Sequence, residues 1–249
     1  MGRKDSVASM ATPVLDLGGR IEAACLGALA GEAAAGGAAG AADLLGVAES
    51  AAATGGFVEE DLRQRGLQRP SRSGTAGLLL RALPFGLLTP LDRPRLRRDS
   101  YRCVSLAGAD EGTAVAAVAA AILIADLLRF DVGTTAVRVR QSLLEDAPAA
   151  LLEHLAPRPG SDVSASSEPA SVLQSAITAL AGADSLDGVL AAASGGPAPA
   201  LGLAGAFAGA RFGRDAVTAI DVERLAHGDR AVQIARKLAE RAESIAVGV

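Results

Sequence analysis

The chain has 249 residues, a formal net charge of −4, 50% hydrophobic and 21% charged residues, and only 2% aromatics. That composition excludes a disordered chain and offers no electrostatic case for nucleic acid. A core of Ala, Leu and Val without bulky rings favours close-packed helices over sheets, which predicts an all-α fold. Residues 1–15 read as a flexible tail and 16–249 as one helical domain. A helix is predicted from near Asp16 past Ile21, Cys25 and Leu29, and the Ala/Gly stretch 33–42 as a turn or loop. A second helix is predicted over Asp43–Ala53, ended by Gly55-Gly56, with a short exposed one over Val58–Leu67.

Residues 68–75 read as a loop, and 76–88 as a helix broken at Pro84. Pro94 suits the first turn of the next helix, whose Arg93, Arg95, Arg97, Arg98 and Arg102 read as a solvated face, the alternative being an anion or partner patch. The run from Glu111 to Phe130 is apolar all round and is predicted to be central. One or two helices follow over 137–155 with a break at Pro148, and 158–169 reads as a surface loop. Helices are then predicted from Pro169, over Ser185–Ala193, over Leu201–Gly213 with small residues that allow close packing, and over Asp229–Val247, about ten in all.

The function-bearing residue types are sparse. Cys25 and Cys103 lack metal spacing and read as buried free thiols, and His154 and His227 lie far apart. No P-loop, GxSxG, HExxH or CxxC is present. Glu32, Asp43, Glu49, Asp110 and Asp126 sit near apolar helices, where caps or surface positions are the ordinary reading. The longest apolar run is too short for a membrane span, and MGRKDSVASM lacks a signal-peptide core, so a cytoplasmic protein with no membrane or nucleic-acid partner is expected. Abundant Arg beside only two Lys reads as a GC-rich bacterial coding bias.

Four segments in order carry a resemblance: GRIEAACLGALAGEAAAG (19–36), AESAAATGGFVEEDL (48–62), GLLLRALPFGLLTP (77–90) and SLDGVLAAASGGPAPALGLAGAFAGARFGRDAV (185–217). Together they resemble the ADP-ribosylglycohydrolase family over about residues 18–247, with a deletion around 66–74. The resemblance implies a single-domain, multi-helix orthogonal bundle. In active members two Mg²⁺, or sometimes Mn²⁺, lie in a central cleft, bound by two Asp-rich boxes and orienting ribose and water.

Position by position, the family's ligands are missing here. The S-D-D-T box falls on Ala38, Ala39, Gly40 and Ala41, and G-G-D-T-D-T on Gly195, Gly196, Pro197, Ala198, Pro199 and Ala200. A one-residue slip of the second box moves its Asp positions to Gly196 and Ala198 and supplies no carboxylate. T-H-x-D keeps only Asp110, G-N-G-S-x-M-R keeps Arg81, and the first-helix Gly-Asp becomes Gly31-Glu32. No metal ligand is therefore expected, and no cofactor. Glu32, Arg81, Asp110, Gly195 and Gly196 are the cleft candidates, with Glu32 and Asp110 the weak catalytic ones.

The resulting expectation is a catalytically inactive, metal-free relative acting as a binding, regulatory or assembly module, with a small-molecule or protein partner or a homo-oligomer. Two alternatives stay open. One is a metal-independent enzyme on a small molecule of secondary metabolism, using Glu32, Asp110 and Arg81. The other is an active ADP-ribosylglycohydrolase with displaced ligands.

Overall fold

A computed structural model describes residues 16–145, 147–156, 164–218 and 220–247. The expected tail, 1–15, and most of the loop expected at 158–169 lie outside the described residues. Among the described residues there are thirteen α-helices, one 3-10 turn (Val222–Arg224) and no strand. The all-α expectation holds, with more and shorter helices than the apolar pattern shows.

The helices are, in order, α1 Leu17–Ala34, α2 Ala39–Thr54, α3 Glu59–Gln64, α4 Gly74–Leu88, α5 Arg93–Leu106, α6 Glu111–Leu127 and α7 Val132–Leu143. Then come α8 Ala149–His154, α9 Pro169–Ala181, α10 Leu186–Ala192, α11 Ala198–Phe212, α12 Arg214–Thr218 and α13 Gly228–Val247. Local chemistry starts many of them. Asp16, Asp92, Asp110, Asp131 and Ser185 each accept a backbone N–H of the helix they precede. Gly55, in the left-handed conformation at φ 80°, ends α2 where the sequence placed a stop.

The core sits on α4, α6 and α11. In α6 every residue from Thr113 to Leu127 is buried, because the helix packs against α4, α5, α7, α9 and α11. The most extensive pair is α1 with α11, where two rows of small residues let the backbones meet. A Cβ on Gly27 would run into the Gly205 carbonyl, and one on Gly205 into the Gly27 carbonyl. Gly31 stands likewise against Leu201, and Gly209 against Ala23. Side chains at these positions would hold the two axes apart, so the small-residue character of α11 is a packing requirement.

Three local expectations are corrected. Pro84 does not break α4: the helix runs through it from Gly74 to Leu88. The ring removes one backbone hydrogen bond, but residues 76–88 are all buried and the tertiary packing outweighs that loss. The Ala/Gly stretch is mostly helical, since α1 continues to Ala34 and α2 begins at Ala39. Helix α7 begins at Val132, capped by Asp131, rather than at 137. The two cysteines are free and buried, as expected, and burial pushes both thiols up to about 12. No helix among the described residues is long and apolar enough to cross a membrane.

Candidate functional site

The two segments that the resemblance sets against the Asp-rich boxes come together. Ala38–Ala41 form the end of the α1–α2 turn and the first turn of α2, and Pro197–Ala200 form the N-cap and first turn of α11. They approach at small residues: a Cβ on Gly37, the residue before Ala38, would lie 3.0 Å from the Ala198 Cβ. Behind the turn, Leu29, Ala33, Gly37, Ala38, Ala41 and their neighbours leave a cavity of about 20 Å³, room for about one water molecule.

Glu32 fills the centre of this junction. It is wholly buried on the last turn of α1, between Gly40, Gly202 and the Leu80 side chain. A Cβ on Gly202 would stand 2.9 Å from its Cγ, and one on Gly40 would collide with its Oε1. Its Oε2 accepts the Ala41 N–H at 2.8 Å. Ala38 itself offers no side-chain cap to α2, so the Glu32 carboxylate caps the helix across the turn. That explains why a helix starts inside so glycine-rich a stretch. Burial raises the carboxyl pKa above the ordinary glutamate value, the N–H groups of Ala41 and Gly40 draw it down, and Asp43 pushes it up. Oε1 is buried with no hydrogen-bond partner among the described residues.

A measurable consequence follows from that raised pKa. The folded chain holds the Glu32 proton more tightly than the unfolded chain does. Its contribution to stability is full below the ordinary glutamate value and is lost as pH rises through the raised one. The urea midpoint of wild type minus that of Glu32→Gln is therefore expected to decline across that window, and a difference independent of pH contradicts it. Glu32→Ala removes the cap and leaves a void, at an expected cost of about 2 kcal/mol or more.

Arg81 belongs to a separate network. Its residue is 2% exposed. Nε and Nη2 donate to Asp43 Oδ2 at 3.1 and 2.8 Å, and Nη1 donates to the carbonyls of Leu67 and Arg69, both at 2.8 Å. Ser71 Oγ donates to the same Asp43 oxygen at 2.8 Å. One guanidinium thus ties α4 and α2 to the 65–73 connection, where the resemblance places a deletion. Asp43 thus pairs with Arg81 and also acts electrostatically on Glu32.

The other candidates lie elsewhere. Asp110 is exposed and caps α6 through the Thr113 N–H at 2.7 Å, and that bond holds its carboxyl below the usual range. It lines a groove of about 290 Å³ with Thr75, Thr113, Pro148 and Glu168. Gly195 and Gly196 form the turn between α10 and α11, where φ of 90° at Gly195 accounts for the glycine.

Sequence reasoning missed two internal ion-pair systems. Asp43 anchors Arg81. Asp126, expected to be a cap or a surface residue, is buried in α6 and accepts from Arg93 at 2.9 Å and Arg138 at 3.2 Å. The arginine face of α5 is therefore largely committed within the protein. Arg95 donates to the Gly55 carbonyl, Arg97 to the Ser142 carbonyl at 3.1 Å, and Arg98 to Asp99 at 2.9 Å, while Arg102 lies 4.5 Å from the Phe57 ring centre. The signal for Asp126 was its place inside an apolar run, because a carboxylate buried there demands cationic partners.

The donor set decides whether a metal pair fits. Mg²⁺ asks for about six oxygens in octahedral array. Among the described residues no three His, Cys, Asp or Glu side chains are grouped to hold a metal ion. Glu32 has one oxygen on a backbone N–H and the other packed against Gly40, and Asp43, two residues past Ala41, is held by Arg81. These residues do not fit a dinuclear site.

No protein-family model matches the chain, and no curated protein sequence matches it. Among solved structures, one described as an "ADP-ribosylglycohydrolase-related protein complex" is similar over 90% of this chain and 99% of that one, at 20% identity and a TM-score of 0.70. A likeness at that identity speaks to the path of the backbone. The helical order, the central α6 and the paired α1 and α11 thus build an all-α fold of the ADP-ribosylglycohydrolase type.

Proposed function

We propose that this chain is a catalytically inactive, metal-free protein on an ADP-ribosylglycohydrolase-type scaffold, working as a binding or assembly module. The observation that carries this reading is the packing at Glu32. Where the scaffold's relatives would hold cations, this chain puts Ala, Gly and Pro backbone, the Leu80 methyls and one carboxylate that caps α2. Erasing every ligand together is physically coherent, because carboxylates left facing each other without their ions repel. A scaffold that keeps its fold and loses that cost is suited to holding a partner instead of turning over a substrate.

The test is to incubate the chain with a mono-ADP-ribosylated protein, with and without Mg²⁺ or Mn²⁺. The expected result is no release of ADP-ribose above the buffer control under either condition. Metal-stimulated release would contradict the reading.

A further inference from the structure

A groove of about 370 Å³ runs between α5, α6 and α7 and shares no residue with the box segments. Its floor is apolar, made by Val115, Val118 and Leu143, all buried. Arg98, Tyr101 and Arg102 form its exposed rim. Arg98 and Arg102 are one turn apart on α5, so their guanidiniums share a face.

These rim groups are held, yet not used up. Arg98 Nε donates to Asp99 Oδ1 at 2.9 Å, which leaves its two terminal nitrogens without a described partner. Arg102 is steadied over the Phe57 ring and has no carboxylate partner among the described residues. The Tyr101 hydroxyl donates to Glu111 Oε2 at 2.8 Å, which fixes the ring at the mouth. Arg97, also lining the groove, is committed to the Ser142 carbonyl and is not needed.

Among the described residues, Glu111 is engaged by Tyr101, Asp99 is buried beneath Arg98, and Asp92, the N-cap of α5, also acts on Arg98 through space. The groove therefore presents two guanidiniums beside an aromatic ring and an apolar floor, on a chain whose net charge is −4. Guanidiniums match the oxygens of a carboxylate or phosphate, and an apolar floor takes a flat body. Opposite charge at the mouth of an otherwise acidic protein also concentrates anions there.

We propose that this groove binds a small organic anion: a carboxylate or phosphate carried on a flat apolar ring. The ring lies on Val115, Val118 and Leu143 beside Tyr101, and the acid group meets Arg98 and Arg102. This inference stands whether or not the scaffold is catalytically inactive.

The test is a methyl NMR titration of the full chain with phenyl phosphate, benzoate, inorganic phosphate and benzyl alcohol. Phenyl phosphate and benzoate are expected to saturate shifts on the Val115, Val118 and Leu143 methyls. Inorganic phosphate, without a ring, and benzyl alcohol, without a charge, are expected to bind about tenfold more weakly or worse. In the double variant R98Q/R102Q, phenyl phosphate affinity is expected to fall about tenfold, with an unchanged circular dichroism spectrum; the urea midpoint is expected to fall modestly, because buried Asp99 loses Arg98 and keeps Arg95 at 3.8 Å. Saturation by only one ring anion supports the site and names its acid group. No saturable shift with either, or equal affinity in the double variant, overturns the proposal.

Discussion

Gly205→Ala is expected to cost about 3 kcal/mol or more, a large share of the stability of an ordinary domain. The added methyl has nowhere to go. Its Cβ would overlap the Gly27 carbonyl oxygen and stand 2.7 Å from the carbonyl carbon, and both are backbone atoms of a buried helix. A flexible side chain would swing aside, but here α1 and α11 must separate as whole helices. That loosens the most extensive helix pair in the fold, with Phe207 and Leu203 on one side of it and Leu26 on the other, all wholly buried. Gly27→Ala is expected to behave alike, since the contact is reciprocal. Gly112→Ala is the control. It lies in the first turn of α6, and its nearest neighbouring atom would be Asp110 Oδ1 at 3.7 Å. There the methyl meets no obstacle and is expected to gain about 0.5 kcal/mol from the lower entropy of the unfolded chain. Urea unfolding followed by circular dichroism separates the two cases. A small, equal effect at Gly205 and Gly112 would contradict the close-approach account.

Asp43→Ala is expected to cost about 3 to 5 kcal/mol, because it strands the buried Arg81 guanidinium without its counter-charge. The Arg81 side chain is 3% exposed and cannot turn to water. Two carbonyls still receive Nη1, but Nε and Nη2 lose their only described acceptor, and Ser71 loses its partner as well. The connection over 65–73 is expected to loosen with it, which amide hydrogen exchange at residues 67–73 reads directly. The comparison is Arg63→Ala, which breaks the Glu59–Arg63 pair on the exposed face of α3 and is expected to cost less than about 0.5 kcal/mol. Equal effects at the two positions would show that Arg81 finds solvent after all.

How much of this was legible in the sequence depended on range. The class of fold followed from composition, since Ala, Leu and Val without aromatics pack as helices. The ends of several elements followed from chemistry spelled out locally, as at Asp16, Pro94, Pro169 and Gly55. The small residues of α11 announced close packing, though not that Gly205 would meet Gly27 of α1, which lies far away in the chain. Pro84 misled because local propensity favours a break, whereas burial on every side of α4 decides for a continuous helix. The Ala/Gly stretch misled for a related reason. The group that starts α2 is not in α2 at all: it is Glu32, reaching across the turn.

The candidate site divides the same way. Residue type is legible without a fold: the sequence at 38–41 and 195–200 is Ala, Gly and Pro and carries no side-chain oxygen. Glu32 and Arg81 were reachable as polar residues in apolar surroundings, but their partners were not, because Ala41, Asp43 and Leu67 meet them only in the folded chain. Asp110 drew notice as a surviving acid and is an exposed helix cap. The arginines of α5 looked alike in sequence, and only tertiary contacts distinguish Arg93, spent on buried Asp126, from Arg102, which has no described carboxylate partner.

The central claim is that the junction of α1, α2 and α11 is closed by packing and has no ligand set for a pair of divalent cations. Isothermal titration calorimetry of the full chain with Mg²⁺ and with Mn²⁺, paired with the thermal midpoint in each, tests it most directly. The account predicts no saturable heat at millimolar ion and a midpoint shifted by less than about 1 °C. Two-site binding at micromolar ion, with a midpoint raised by several degrees and lost in Glu32→Ala, would contradict it.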